Sequence, residues 1–174
     1  IKYITVFALS SENLKRNTSY IIFQTIRKIY KKLLKDLKNK KVNINIIGEK
    51  NNLPEDILKI FKKIKHIDYN NLQLNIAFNY GTQFEIKNII ESFIKDDSKK
   101  INLKMIRQKM YLGNIPDPEI LIRTGGFQRL SNFMLLNLSY SDLFFTNTLW
   151  PDFSIKELEK IFTKYKNIKK NYGL

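Results

Sequence analysis

A chain of 174 residues, 43% hydrophobic and 27% charged, is long enough for one globular core and too apolar for a disordered segment. Thirty-one lysines and arginines against 16 acids leave a net charge of +15, and the lack of any cysteine excludes disulfides and thiolate metal sites. No apolar run reaches the roughly 18 residues that a bilayer span requires, and Ile1–Leu9 has no secretory leader pattern.

The elements alternate between strand and helix. Tyr3 to Leu9 is a β-branched and aromatic run suited to a buried strand, and it begins so soon after Ile1 that an upstream segment is expected. A polar turn follows over Ser10–Asn17. Ser19 to Lys38 then carries Ile22, Ile26, Ile29, Leu33 and Leu37 at helical spacing. Val42 to Ile47 is a second strand, and Pro54 opens a helix that runs to about Lys65. Leu72 to Phe78 is a third strand, ended by Asn79-Tyr80-Gly81, and Phe84 to Ile94 is a helix. A short helix reaches about Tyr111. Pro116 and Pro118 bracket a turn into a strand at Glu119–Ile122. Leu143 to Thr146 is the last strand, and Ile155 to about Lys169 the last helix. This alternation predicts an α/β fold, a mostly parallel central sheet flanked by helices, with ligands at the carboxyl ends of the strands.

The charge alone invites a nucleic-acid-binding reading. Against it, Lys28, Lys31, Lys32, Lys35 and Lys38 recur on the polar side of one helix, as solvated surface lysines do, so no nucleic-acid partner is expected. The field should still attract anionic substrates and anionic membrane surfaces.

Only five of the 31 basic residues are arginine, and two of them, Arg123 and Arg129, flank Gly125-Gly126. Arginine offers planar, bidentate recognition of oxyanions, so Ile122–Phe133 reads as a diphosphate site. The glycines permit positive φ and free amides toward an anion. Ser131 is expected to cap a helix starting near Phe133, adding a hydroxyl and a positive dipole. Ser10, Ser11, Glu12, Asn13 and Arg16 form a second polar group after a strand, and either Ser10 or Ser11 could simply cap a helix turn. Both motifs follow strands and are expected on the same rim. There is no Walker loop and no G-x-G-x-x-G fingerprint. The single His66 reads as a surface or capping residue.

Four segments then carry a specific resemblance: Phe7-Ala-Leu-Ser-Ser-Glu-Asn-Leu-Lys-Arg16, Leu74-Asn-Ile-Ala-Phe-Asn-Tyr-Gly81, Pro116-Asp-Pro-Glu-Ile-Leu-Ile-Arg-Thr-Gly-Gly126 and Leu149-Trp-Pro-Asp152. In this order, from Ile4 to Gly173, the chain resembles the cis-prenyltransferase family, whose best-known member is undecaprenyl diphosphate synthase. The resemblance implies prenyl-chain elongation: condensation of isopentenyl diphosphate with an allylic diphosphate, with Mg²⁺, giving a polyprenyl diphosphate. It implies that Arg123, Arg129 and Ser131, with Gly125, Gly126 and Leu130 beside them, hold the isopentenyl diphosphate. Asn13 matches the residue assigned to proton removal, with Ser10 beside it in the catalytic group. Ser10, Ser11, Glu12 and Arg16 match substrate-contacting neighbours, and Leu14 falls where members often carry an aromatic residue against the prenyl chain. The helix Ile21 to Leu37 with Leu72 and Leu74 provides candidate walls for a product tunnel.

The resemblance also implies a homodimer, or a heterodimer with a related subunit, in the cytoplasm or an organelle interior with possible peripheral membrane contact. Departures are specific. Residues 1–174 match one domain without the family's N-terminal strand and aspartate loop. Asp142 stands where a metal-binding glutamate is usual, Gln128 replaces a common histidine, and Asn171-Tyr172-Gly173 lacks the arginine of an Arg-x-Gly element. A non-catalytic partner subunit of a heteromeric enzyme is therefore the second reading, and a basic nucleic-acid-binding domain the third.

Overall fold

The computed structural model describes residues 1–15, 19–65, 72–98 and 100–169. Backbone contacts gather the chain into two compact units, Ile1–Pro116 and Asp117–Leu174. His66, Arg16 and the Asn171–Gly173 element lie outside the described residues.

The first unit is built on a three-stranded sheet. Strands β1 (Tyr3–Ser10), β2 (Val42–Ile47) and β3 (Leu72–Tyr80) pair in the order β1-β3-β2, both pairings parallel. One sheet face is covered by α2 (Ser19–Lys40) and α3 (Glu55–Lys65), which follow the one-turn helix α1 (Ser11–Leu14). Phe23, Ile26, Tyr30 and Leu33 of α2, the i, i+3, i+7 and i+10 positions of its apolar stripe, pack with Ile57, Ile60 and Ile64 of α3 around Val42 and Ile44. Leu72 and Leu74 of β3 belong to the same packed cluster. Of the candidate tunnel walls, Phe23, Ile26, Tyr30, Leu33, Leu72 and Leu74 pack in this cluster, whereas Ile21 and Ile29 are exposed. Pro54 sits just before α3, where its carbonyl accepts the Leu58 amide at 3.1 Å and its missing N–H costs nothing. The unit is completed by α4 (Thr82–Lys95) and α5 (Leu103–Lys109).

The other face of β3 holds buried polar groups in register. Thr5 stands opposite Asn75 on one side and Asn45 stands opposite it on the other. Fully buried Asn75 donates to the Thr5 hydroxyl at 3.2 Å and accepts from Asn45 at 3.2 Å and Gln73 at 2.7 Å. At the strand's end, the buried Glu85 carboxylate accepts the Tyr80 hydroxyl at 2.6 Å and the Tyr111 amide at 2.7 Å. Asn88 donates to the Tyr111 hydroxyl at 3.2 Å and to Glu49 at 3.0 Å. Burial pushes the Tyr111 phenol above its ordinary value.

The second unit has a two-stranded parallel sheet, β4 (Ile120–Arg123) beside β5 (Asp142–Phe145), then a 3₁₀ turn at Trp150–Asp152 and helix α6 (Ile155–Lys166). Ser154 and Glu157 form a capping box at the start of α6. Among the described residues every strand pairing is parallel, as the alternation of elements predicted, and helices flank the larger sheet.

One local alternative is settled and one expectation changes. Of the two serines that could cap a helical turn after β1, Ser10 does so, accepting the Asn13 amide at 3.1 Å. The helix expected from Phe133 does not form. Ser131, Asn132 and Met134 have φ of 47°, 61° and 51°, and left-handed residues cannot continue a right-handed helix. Buried Met134 and Leu138 fasten this succession of turns instead, with the Asn137 amide donating to Asp117 at 2.8 Å.

Replacing Asn75 by alanine should lower stability by about 2–3 kcal/mol, since it leaves Thr5, Asn45 and Gln73 without a buried partner. A urea unfolding midpoint unchanged from the parent would contradict this role for the three-strand polar ladder.

Candidate diphosphate-binding site

Arg123 is the last residue of β4, and its carbonyl accepts the Thr146 amide at 2.9 Å, one step beyond the β4–β5 ladder. The chain then turns sharply through Gly125 and Gly126, whose φ values of 87° and 80° are costly for any residue with a Cβ. Their amides donate to the carbonyls of Thr148 and Thr146, each at 2.9 Å. The expected free amides are therefore absent from both glycines. The turn continues the backbone hydrogen bonding of the sheet, and that pairing uses the donors an anion would need. The glycines serve the shape of the turn.

The side chains converge where the amides do not. Arg123 donates from one guanidinium nitrogen to the Ser131 hydroxyl at 2.9 Å and to the Arg129 carbonyl. It thereby ties the loop's end back to the strand that begins it. The guanidinium carbons of Arg129 and Arg123 lie 4.4 and 5.9 Å from the centre of the Phe127 ring. Two cations thus approach one aromatic ring. Partial burial, then the charge of Arg129, draws the Arg123 pKa below its ordinary value, though a guanidinium stays protonated in proteins. Arg129 and Ser131 are exposed, while Arg123 and Leu130 are half-buried. Like charges held this close favour an anion between or above them, and a diphosphate supplies several oxygens to two planar forks. Since no helix starts at Phe133, Ser131 contributes its hydroxyl without a helix dipole.

Residues not singled out in the sequence support this turn. The Thr148 and Thr146 hydroxyls donate to one Glu157 oxygen at 2.6 and 3.2 Å. The other Glu157 oxygen accepts the Ser154 amide at 3.5 Å. The Thr148 hydrogen bond, foremost, holds the Glu157 carboxyl below the usual carboxylate range. The Ser154-x-x-Glu157 spacing is a visible capping-box signal. Its second use, bracing the carbonyls that receive Gly125 and Gly126, has no sequence signature.

Asp142 opens β5 opposite Ile120, whereas Arg123 pairs with Phe145 at the far end of the ladder. Three residues of strand separate the two levels, roughly 10 Å. The half-buried Asp142 carboxylate has no ion-pair partner among the described residues, and no cluster of three or more His, Cys, Asp or Glu occurs among them. Magnesium is commonly held by one or two carboxylates plus substrate phosphate oxygens, so Asp142 fits as one such ligand.

In the first unit, Ser10 is the helix cap, and Glu12 and Asn13 are exposed on α1. Ser11 is 4% exposed, and its hydroxyl has no hydrogen-bond partner among the described residues. It lines a hollow of about 230 Å³ with Leu14, Lys15, Asn51, Asn79 and Phe84. Leu14 is half-buried against Leu9, Leu53 and Phe78, so its inner side packs in the core.

These features define a parallel α/β protein with a cationic loop, carrying Arg123, Arg129 and Ser131, at the carboxyl end of a strand. Comparison with known proteins sharpens the class, for the family described as "Putative undecaprenyl diphosphate synthase" matches residues 1–173. The chain belongs to that family. It is 37% identical to an isoprenyl transferase of Fusobacterium nucleatum over 99% of its length and 76% of the relative's. It is 33% identical to a geranylgeranyl-diphosphate-specific tritrans,polycis-undecaprenyl-diphosphate synthase of Thermoplasma volcanium, covering 99% of this chain and 72% of that one. The crystal structure of a probable undecaprenyl diphosphate synthase from Campylobacter jejuni is similar over all of this chain and 84% of that one, with a TM-score of 0.84 and 29% identity. Lavandulyl diphosphate synthase from Lavandula x intermedia, solved with dimethylallyl diphosphate, has a TM-score of 0.86 and 26% identity over all of this chain and 80% of that one.

The depressed Glu157 pKa has a defined consequence. Its stabilising contribution is present above the unfolded carboxylate value of about 4.3 and is lost as pH falls through the lower folded value. The stability difference between the parent and Glu157→Ala should thus be largest near neutral pH and shrink in acid. A pH-independent difference in urea midpoints would refute the coupling to Thr146 and Thr148.

Proposed function

We propose that this chain is a cis-prenyltransferase, extending an allylic diphosphate with isopentenyl diphosphate to give a polyprenyl diphosphate. The observation that carries the reading is the pair of guanidiniums on Phe127 beside the Ser131 hydroxyl. Membership of the undecaprenyl diphosphate synthase family supports the same reading. In the reaction, the allylic C–O bond breaks and diphosphate departs. The isopentenyl double bond forms the new C–C bond, and a proton leaves the adjacent carbon.

Arg123, Arg129 and Ser131 hold the isopentenyl diphosphate in this proposal. Arg129, the exposed member, offers the fork that first meets the anion. Arg123 sets the loop's shape and adds its charge. The task is positional: it places the attacking alkene, so tight and oriented diphosphate binding lowers the barrier. Asn13 is the proposed acceptor of the departing proton. Ser10 holds the backbone of Asn13 through the cap bond at 3.1 Å. Ser11, Glu12, Leu14 and Arg16 are its proposed substrate-contacting neighbours. Asp142 is the proposed ligand of Mg²⁺, which when bound would neutralise charge on the diphosphate. The proposed assembly is a dimer with a second copy or a related subunit. Among the described residues no helix is long and apolar enough to cross a membrane.

Arg129→Ala should raise the KM for isopentenyl diphosphate by roughly 10- to 100-fold, the worth of one charge-assisted contact of about 1.5–3 kcal/mol. Incorporation of labelled isopentenyl diphosphate into butanol-extractable product measures it. Arg123→Ala should also lower thermal stability, because Arg123 closes the loop. A near-normal KM in Arg129→Ala would overturn the assignment, and chromatography of the parent's product would define the chain length.

A further inference from the structure

We propose that the outward face of α2 and α3 docks this protein on an anionic phospholipid surface. The apolar stripe Phe23, Ile26, Tyr30 and Leu33 turns one side of α2 into the core. Lys28, Lys31, Lys32 and Lys35 are exposed on the side away from it. On α3, buried Ile57, Ile60 and Ile64 face inward and leave Lys62 and Lys63 exposed. The two helices are fastened into one surface by Arg27, whose guanidinium grips Asp56 with bonds of 2.5 and 3.1 Å. That grip matters for the charge balance. Asp56 is occupied by Arg27, and Glu55 by Lys59 at 2.8 Å, so the acids that could quiet the face are engaged elsewhere. None of the six lysines has an ion-pair partner among the described residues, and Asp36 is the remaining acid on either helix.

The chemistry of the face selects its partner. Its free cations are all lysine, compact hydrated charges suited to a diffuse anionic surface. Its one arginine is spent on Asp56, so no free fork remains to grip and orient a nucleic-acid phosphate. Ile21 is 48% exposed and stands seven and fourteen residues before Lys28 and Lys35, on the same line along α2. An exposed aliphatic residue along a lysine face suits the headgroup boundary, where basic residues add attraction and apolar side chains enter. The inference rests on charge and packing alone, independent of the reading of the diphosphate site.

The test is co-sedimentation of the full chain with large unilamellar vesicles. One set is phosphatidylcholine with about 40% phosphatidylglycerol, the other phosphatidylcholine alone, at low and high salt. The protein should bind the anionic vesicles at low salt, release at high salt, and ignore the neutral ones. The combined variant Lys28→Glu, Lys31→Glu, Lys32→Glu and Lys35→Glu should bind roughly 100-fold more weakly. A control with the same charge change elsewhere, Lys104→Glu, Lys156→Glu, Lys160→Glu and Lys169→Glu, should retain most binding. If the reversed variant misfolds by circular dichroism, the four Lys→Gln changes replace it. Absence of binding to anionic vesicles, equal binding to neutral ones, or equal loss in the control would overturn the proposal. So would tighter binding to single-stranded RNA that the same reversal abolishes.

Discussion

A parallel pair of strands cannot be closed by a tight hairpin, so each pair in this protein demands a crossover segment that returns to the start of its neighbour. That constraint organises the first unit: β3 is paired on both edges, and the chain between β1 and β2 becomes α2, whose apolar stripe then covers the sheet. It also decides where chemistry can sit. Each crossover leaves from the carboxyl end of a strand, and Ser10 and Arg123 are the terminal residues of β1 and β4. The same pairing brings Thr5, Asn75 and Asn45 to one level, so that three strands share a buried polar ladder whose register a one-residue slip would destroy.

Within the second unit the sheet does not stop at the last strand residue. Gly125 and Gly126 give their amides to Thr148 and Thr146, and Glu157 holds the hydroxyls of the same threonines. This leaves a turn whose two glycine amides are engaged by the sheet, while the side chains of Arg129 and Ser131 are exposed. The two arginines divide the work. Arg123 is half-buried and bonded within the loop, a cost in desolvation that its lowered pKa records. Arg129 is exposed and stacked on Phe127, its charge facing solvent.

Much of this could be read from residue patterns. Apolar and β-branched runs marked β1, β2 and β3 within two residues, and the helical spacing of Ile22, Ile26, Ile29 and Leu33 marked α2, although the packed stripe is Phe23, Ile26, Tyr30 and Leu33 and Ile29 is exposed. The rarity of arginine singled out Arg123 and Arg129. The errors share one cause. Ser131 before an apolar run looks like a helix cap, yet Met134 and Leu138 reach the core by left-handed turns, and local spacing does not reveal that choice. Glycine pairs look like anion cradles, but whether their amides are free depends on the carbonyls of Thr146 and Thr148, distant in the chain. The ladder from Tyr80 through Glu85 and Tyr111 to Asn88 and Glu49 likewise joins residues distant in the chain.

The sequence by itself determined the parallel α/β class, the order of the elements and the two polar motifs, because periodicity and residue chemistry are local properties. Tertiary structure alone decided which donors remain for a ligand. Hydrogen bonding saturates: once the amides of Gly125 and Gly126 meet the threonine carbonyls, those two donors are no longer open to an anion, and the proposed diphosphate contacts fall to the guanidiniums and the Ser131 hydroxyl. It also decided that Arg27 and Lys59 engage the acids of α3, while Lys28, Lys31, Lys32 and Lys35 have no ion-pair partner among the described residues.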